Sequence, residues 1–297
     1  MKGACQVGQG AFAYEVKDNW AQRPPGISWP EVAAVAVDSR GRVFVFNRGD
    51  HPVAVFDGDG TFLHSWGEGY FVGVHGITIG PDDSVYCTDH AGHTVDKFTP
   101  EGKFLLRLGT RGRPSPTGAV GTDCRTVRRA AGPFNFPTTV ALSPEGEIYV
   151  ADGYGNTRVH KFAPDGRLLA SWGTPGVGPG QFHLLHGIAV NRQGTVFVAD
   201  RENCRVQSFS PDGTFLRQWC DWALDSGVRQ MRQMAKSLLL HKSGILSWWK
   251  HRINNGRMEG INYKIKTLLR QTYGLRDERY FVLRLFGLHH SRHELLG

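Results

Sequence analysis

Three observations predict a mainly β chain, a β-propeller of about four blades followed by an α-helical C-terminal segment. Four stretches within the first 219 residues repeat one another, the composition changes abruptly near Trp219, and the hydrophobic period changes at the same place. The chain has 297 residues, 40% hydrophobic and 21% charged, an ordinary globular composition that excludes wholesale disorder. No apolar run is long enough to span a bilayer, so no membrane partner is expected. Residues Met1 to Trp20 have no apolar core of the kind a secretion signal needs. The five cysteines are scattered without a CxxC pair, which suggests neither a disulfide framework nor a cysteine-zinc site. The expected location is the reducing cytoplasm.

The repeats run VAAVAVDSRGRVFVFNRGDHPVAVFDGDGTFLHSWG from Val32 and VHGITIGPDDSVYCTDHAGHTVDKFTPEGKFLLRLG from Val74. PTTVALSPEGEIYVADGYGNTRVHKFAPDGRLLASWG follows from Pro137, and LHGIAVNRQGTVFVADRENCRVQSFSPDGTFLRQW from Leu185. Each contains a short apolar strand, a turn, a second β-rich strand ending near Asp or Asn, a third ending in Phe, a DG or EG turn, and a fourth strand. Turn dipeptides between alternating apolar residues are strong hairpin signals. One four-stranded unit cannot bury its own faces, so neighbours must pack around an axis. Blades are expected near 32–67, 74–109, 137–173 and 185–219, with residues 110–132 as an exposed loop insertion on the channel rim. Asp89, Asp152 and Asp200 recur at second-strand ends and are expected to act as turn and strand-end hydrogen bonders. His51, His90 and His93 are expected at the surface.

The formal charge of +8 is not spread evenly. Residues 220–297 hold 14 Lys and Arg against 6 Asp and Glu, leaving 21 of each in residues 1–219. All 15 prolines and 31 of the 38 glycines lie before residue 220, and three of the four methionines lie after it. The shift predicts two segments of different class, 1–219 and 220–297. In the second, Val228, Met231, Ala235 and Leu238 fall at helical spacing, as do Ile261, Ile265 and Leu268, and a third stripe carries Phe281, Leu285 and Leu288. Gly244, Gly256 and Gly274 separate these helices.

The phrases VADGYGN and VADREN, followed by RVHKF and RVQSF, resemble NHL-repeat propellers. Over about residues 12–219, including PGVGPGQFHLLHGIAV from Pro175, the chain resembles the catalytic core of peptidyl-α-hydroxyglycine α-amidating lyase. That resemblance implies a six-bladed ring, of which this chain would carry about four blades. It also implies an axial zinc held by three histidines, a nearby calcium, and cleavage of a peptidyl-α-hydroxyglycine to peptide amide and glyoxylate. Matched residue by residue, His75 and His186 take two zinc positions, and three imidazoles with an open position suit a catalytic zinc. Tyr154 matches the base, Arg48 and Arg201 the arginines that hold the substrate, and Val35 and Ile77 the carbonyls offered to calcium. The third histidine belongs to a later blade, and the repeat stops after Trp219. Leu185 replaces the proline usual before the second histidine. Without a third ligand, His75 and His186 also read as hydrogen-bonded residues lining a channel, and Tyr154 as a packed aromatic.

The text HKSGILSWWKHRINNGRMEGINYKIKTLLRQTYGLRDERYFVLRLFGLH resembles the C-terminal end of insertion-sequence transposases with a DDE nuclease core, of the ISL-three type. It covers about residues 221–297. The resemblance makes Glu259 the third acid of a site that would hold Mg²⁺ at a DNA phosphate, its two aspartate partners being absent from residues 1–219. Lys264, Lys266 and Arg270 are expected DNA-backbone contacts, a sequence-independent and salt-sensitive attraction. Taken alone, the same basic run reads as a solvated face.

Three classes of function follow: an amidating-lyase-like metalloenzyme, a binding or scaffold propeller with a peptide or small molecule on its axis, and a gene-fusion product with neither activity complete. Open blade edges would also favour self-association.

Overall fold

The structure, a computed structural model, describes residues 5–8, 13–218 and positions 229, 232, 233 and 236. The chain divides into compact units at Met1–Ala235 and Lys236–Gly297, so the composition change near Trp219 falls inside the first. After a small hairpin of β1 (Cys5–Val7) and β2 (Tyr14–Val16), each repeat forms one antiparallel sheet whose strands follow chain order. Blade I holds β3 (Val32–Val37), β4 (Val43–Asn47), β5 (Val53–Phe56) and β6 (Phe62–Trp66). Blade II holds β7 (Val74–Ile79), β8 (Val85–Asp89), β9 (Thr94–Phe98) and β10 (Phe104–Gly109). Blade III holds β11 (Pro137–Leu142), β12 (Ile148–Asp152), β13 (Arg158–Phe162) and β14 (Leu168–Trp172). A short parallel pair, β15 (Thr174–Pro175) and β16 (Gln181–Phe182), precedes blade IV. That blade holds β17 (Leu185–Val190), β18 (Val196–Asp200), β19 (Arg205–Phe209) and β20 (Phe215–Gln218).

Strand alternation explains how the blades join. Val85 and Cys87 of β8 bury against Phe44, Phe46 and Val55 of blade I, while Tyr86 between them joins Ile148, Val150 and Phe162 of blade III. In β12 the pattern repeats: Ile148 and Val150 face blade II, and Tyr149 and Ala151 face Val196, Val198 and Phe209 of blade IV. A period of two therefore feeds two interfaces from one strand. Turn glycines fix the spacing between blades. Gly102 of blade II, at φ +86°, lies so close to Trp66 of blade I that a Cβ there would stand 2.6 Å from the indole. Gly213 of blade IV meets Trp172 of blade III in the same way. These positions need glycine for the left-handed backbone and for the ring above it.

The inner strands β3, β7, β11 and β17 pack side by side, each on the next. Their far ends surround an open space of about 640 Å³ lined by Val37, Thr78, Leu142 and Val190. Four propeller-like blades thus share an axis. Among the described residues no helix is long and apolar enough to cross a membrane. In the C-terminal segment Arg229, Arg232, Gln233 and Lys236 are helical and exposed, and the helices expected further on lie outside the described residues.

Candidate functional site

The aspartates at the ends of second strands build the site without entering it. Asp89, fully buried, accepts hydrogen bonds from the backbone N–H groups of Val72 at 3.0 Å, Gly73 at 2.7 Å and Gly92 at 3.0 Å. Asp152 accepts from the Asn135 N–H at 2.9 Å, and Asp200 from the His183 N–H at 2.9 Å. Each carboxylate therefore clamps the chain just before an inner strand starts, and the second residue of that strand is His75 in β7, Thr138 in β11 and His186 in β17. The strand-end hydrogen-bonding role read from sequence is the one these groups perform.

His75 donates Nδ1–H to the Thr138 carbonyl at 2.6 Å, since a carbonyl can only accept. Gly76 makes that approach feasible, because a Cβ there would lie 2.7 Å from the same carbonyl oxygen. The neutral ring then presents an unprotonated Nε2, 3.4 Å from the Tyr154 hydroxyl. The same hydroxyl lies 3.1 Å from His186 Nε2, and the two imidazole centroids are 5.1 Å apart. Arg201 stacks over the Tyr154 ring at 5.6 Å, its Nε 3.0 Å from Glu202. Burial, then the charges of His186, His90 and Arg48, pushes His75 down to about 4. Burial lowers His90 and His186 as well. All three rings are neutral at neutral pH.

Four of the residues singled out in the sequence, His75, Tyr154, His186 and Arg201, therefore meet. Arg48 stands to one side, its Nη1 2.6 Å from Glu31 and its Nε donating to the Val74 carbonyl at 3.3 Å. Val35 is 54% exposed on β3 and Ile77 is buried on β7, at corresponding places in neighbouring inner strands. No group of three His, Cys, Asp or Glu side chains converges to hold a metal among the described residues. Two imidazoles and a phenol fall short of the three protein ligands that a catalytic zinc takes, so the described residues do not complete that site.

Two surface expectations are corrected. His93 is 6% exposed and accepts the Phe136 N–H at Nδ1, 3.1 Å away. His90 is half-buried, donates Nδ1–H to the Gly73 carbonyl at 2.9 Å, and contacts His75 and Tyr154 with centroids 5.5 and 6.2 Å away. Its repeat position was the missed signal: it follows a second-strand end, as Arg48 and Arg201 do. The insertion 110–132 reaches the site too, through hydrogen bonds from Thr117 to the Gly155 carbonyl and from Asn135 to the Ser115 carbonyl. Glu259, Lys264, Lys266 and Arg270 lie outside the described residues.

The NHL repeat family model matches residues 134–162 and 182–209, and a transposase family model matches residues 198–285, overlapping the fourth repeat. The mouse peptidyl-glycine alpha-amidating monooxygenase is 32% identical over 241 residues, 67% of this chain and 23% of that protein. Mouse NHL repeat-containing protein 3 is 33% identical, over 65% of this chain and 58% of its own length. Drosophila melanogaster peptidyl-alpha-hydroxyglycine alpha-amidating lyase 2 is 31% identical, over 63% of this chain and 48% of its own length. The chain thus spans less than two thirds of each of these relatives. A streptogramin B lyase structure superposes with a TM-score of 0.48 at 15% identity, covering 70% of this chain and 58% of that one. The chain carries an NHL-repeat propeller with homologues among the peptidyl-α-hydroxyglycine α-amidating lyases, and its residues 198–285 match a transposase family.

Proposed function

We propose that residues 1–219 are an incomplete amidating-lyase-like propeller, about four blades of a six-bladed pattern, joined by gene fusion to the C-terminal end of a transposase, with neither activity complete. The observation that carries this reading is that, among the described residues, two imidazoles, His75 and His186, converge on the Tyr154 hydroxyl. The site keeps the parts that recognise a ligand. Arg201 and Arg48 offer guanidinium forks suited to a carboxylate, and each has a glutamate beside it that fixes its position. Tyr154 and the neutral imidazoles can exchange a hydrogen bond with a ligand hydroxyl. A peptide ending in α-hydroxyglycine presents both groups. What the site lacks, among the described residues, is the third ligand for zinc.

The test measures metal content and turnover on one preparation of the full chain. We expect substoichiometric zinc after dialysis and no glyoxylate released from an α-hydroxyglycine peptide. One tightly held zinc per chain together with glyoxylate release would overturn the loss of activity. A reverse result, no affinity for carboxylate-terminated peptides at all, would remove the lyase-like reading and leave a scaffold propeller.

A second reading concerns the tail. Among the described residues Arg229 and Arg232, three positions apart, are helical and exposed. With the net positive charge of residues 220–297, this favours a weak, sequence-independent contact with DNA phosphates. Retention on duplex DNA that does not fall steeply as salt rises would exclude it.

A further inference from the structure

We propose that blade III carries a second reactive site, independent of the axial one, in which the Ser171 hydroxyl is a nucleophile toward small carboxylic esters, with His160 as its base and Asp152 holding that base in place. Ser171 Oγ lies 2.8 Å from His160 Nδ1, and His160 Nε2 lies 3.3 Å from Asp152 Oδ2. His160 and Asp152 are fully buried, whereas Ser171 is partly accessible. The connectivity fixes the protons. An ionised carboxylate only accepts, so the imidazole N–H sits on Nε2 and the Nδ1 lone pair faces the serine hydroxyl. Asp152 is itself anchored by the Asn135 N–H and by Asn156 Nδ2. Phe134 packs against the imidazole with ring centroids 5.5 Å apart, and a fully buried ring has no solvent competing for Nδ1.

The other repeats supply the contrast. His160 stands two residues before the Phe that ends its strand and pairs directly with Ser171 on β14. The same cross-strand place holds Ala54 with Ser65 in blade I, Asp96 with Arg107 in blade II, and Gln207 with Gln218 in blade IV. Ser65 also meets a histidine and a carboxylate, but in a connection unsuited to proton transfer. Ser65 Oγ, at 3.1 Å, and Glu68 Oε1, at 2.7 Å, share the one nitrogen His51 Nδ1. An Nδ1–H given to Glu68 leaves no lone pair for the serine proton. In blade III the hydroxyl and the carboxylate use opposite nitrogens, as a nucleophile and its base require. Arg158, two residues before His160 and so on the same strand face, donates from Nη2 to the Ser171 carbonyl at 2.8 Å. Its positive charge beside the hydroxyl favours the negative charge that develops on an attacked ester oxygen.

In the reaction, Ser171 Oγ bonds to the ester carbonyl carbon while its proton passes to His160 Nδ1. The carbon–oxygen bond to the alcohol then breaks, and the leaving oxygen takes that proton. Water repeats the sequence on the acyl-serine, so one ester and one water give one carboxylic acid and one alcohol. Ser171 lies on the outermost strand of its blade and is only partly accessible, which limits the acyl group to a small one.

The test is labelling of the full chain with a fluorophosphonate probe, mapped by peptide mass spectrometry, beside release of nitrophenolate from 4-nitrophenyl acetate. We expect the adduct on Ser171 and none on Ser65. Ser171→Ala should abolish the adduct and return ester hydrolysis to the rate without protein, whereas Ser65→Ala should change neither. His160→Asn or His160→Gln, whichever keeps the fold, should slow both readouts by roughly 10²–10⁴-fold, the contribution of a positioned general base. A folded chain that takes no adduct, or takes it as readily on Ser65, would overturn the site, as would hydrolysis undiminished in Ser171→Ala. Undiminished labelling of Ser171 in a folded histidine variant would remove His160 as the base.

Discussion

Blades II and III differ from blades I and IV in one respect that decides much of the rest. The inner strands β7 and β11 each have a neighbour on both sides, and neither has an exposed residue: only His75, Thr78 and Ile79 in β7 and Thr139 and Leu142 in β11 are even partly accessible. In β3, by contrast, Val32, Val35 and Val37 are 42%, 54% and 57% exposed, because only Ala33, Ala34 and Ala36 face blade II. Blade I hides its other face by a different device. Trp20 and Trp29 from the preceding segment cover Val45, Ala54 and Phe56, and Trp20 donates to the Gly58 carbonyl at 3.2 Å. Trp66 donates to the Pro100 carbonyl of blade II at 3.1 Å, so Trp20 takes before blade I the place that Trp66 takes before blade II. The same repeat therefore yields a sealed blade where a neighbour supplies the missing surface, and an exposed apolar strand at the axis where none does. Exposed apolar strands next to open edges are sites for pairing with another chain.

The largest effect should come from the interior. Asp152 accepts from the Asn135 N–H and from Asn156 Nδ2 at 2.8 Å and faces the buried His160 at 3.3 Å, so Asp152→Ala strips several buried partners at once. We expect a loss of about 3–5 kcal/mol in urea unfolding. A loss below about 1 kcal/mol would mean that blade III is not the rigid part. Next comes a matched pair. Ile148→Ala, in the fully buried core between blades II and III, should cost about 2–5 kcal/mol, whereas Val37→Ala on β3 should stay within about 0.5 kcal/mol. Equal costs would erase the distinction between inner and flanking blades.

Acid should act through the histidines, which are lowered by burial at the axial site. Between the ordinary value of 6.5 and about 4, the unfolded chain takes up a proton at His75 while the folded chain does not. Stability is then full above pH 6.5, falls as the pH drops through this window, and is lost below the folded value. Thermal midpoints across pH 4–7 should show this slope, shallower in His75→Gln. A slope of opposite sign would contradict the burial of the ring. The smallest effect on stability is expected from Val35→Lys combined with Val37→Lys, but sedimentation should then show less self-association than the parent chain. Unchanged association would move the sticky surface elsewhere.

Much of the architecture was readable residue by residue. DG and EG turns, alternating apolar positions and second strands ending in Asp or Asn are local signals, because turn backbone and strand pleat depend on neighbours a few residues apart. The same holds for Asp89, Asp152 and Asp200, whose recurrence already pointed to hydrogen bonding rather than acid chemistry. His90 and His93 show the limit. As single residues in a polar turn they look like surface, and only the packing of blade II against the segment before β11 buries them.

The sequence by itself determined the repeated strand and turn pattern, the pairing of a neutral propeller segment with a basic tail, and which residue types stand at each strand end. Tertiary structure alone decided that His75 and His186, 111 positions apart in sequence, reach one tyrosine hydroxyl. It also decided that Arg48 opens onto a cavity with His90, and that β3 keeps an apolar face uncovered. The physical reason is range. Turns and pleats are set by local sterics and hydrogen bonds, whereas a site on an axis depends on how four sheets stack, which no single repeat contains.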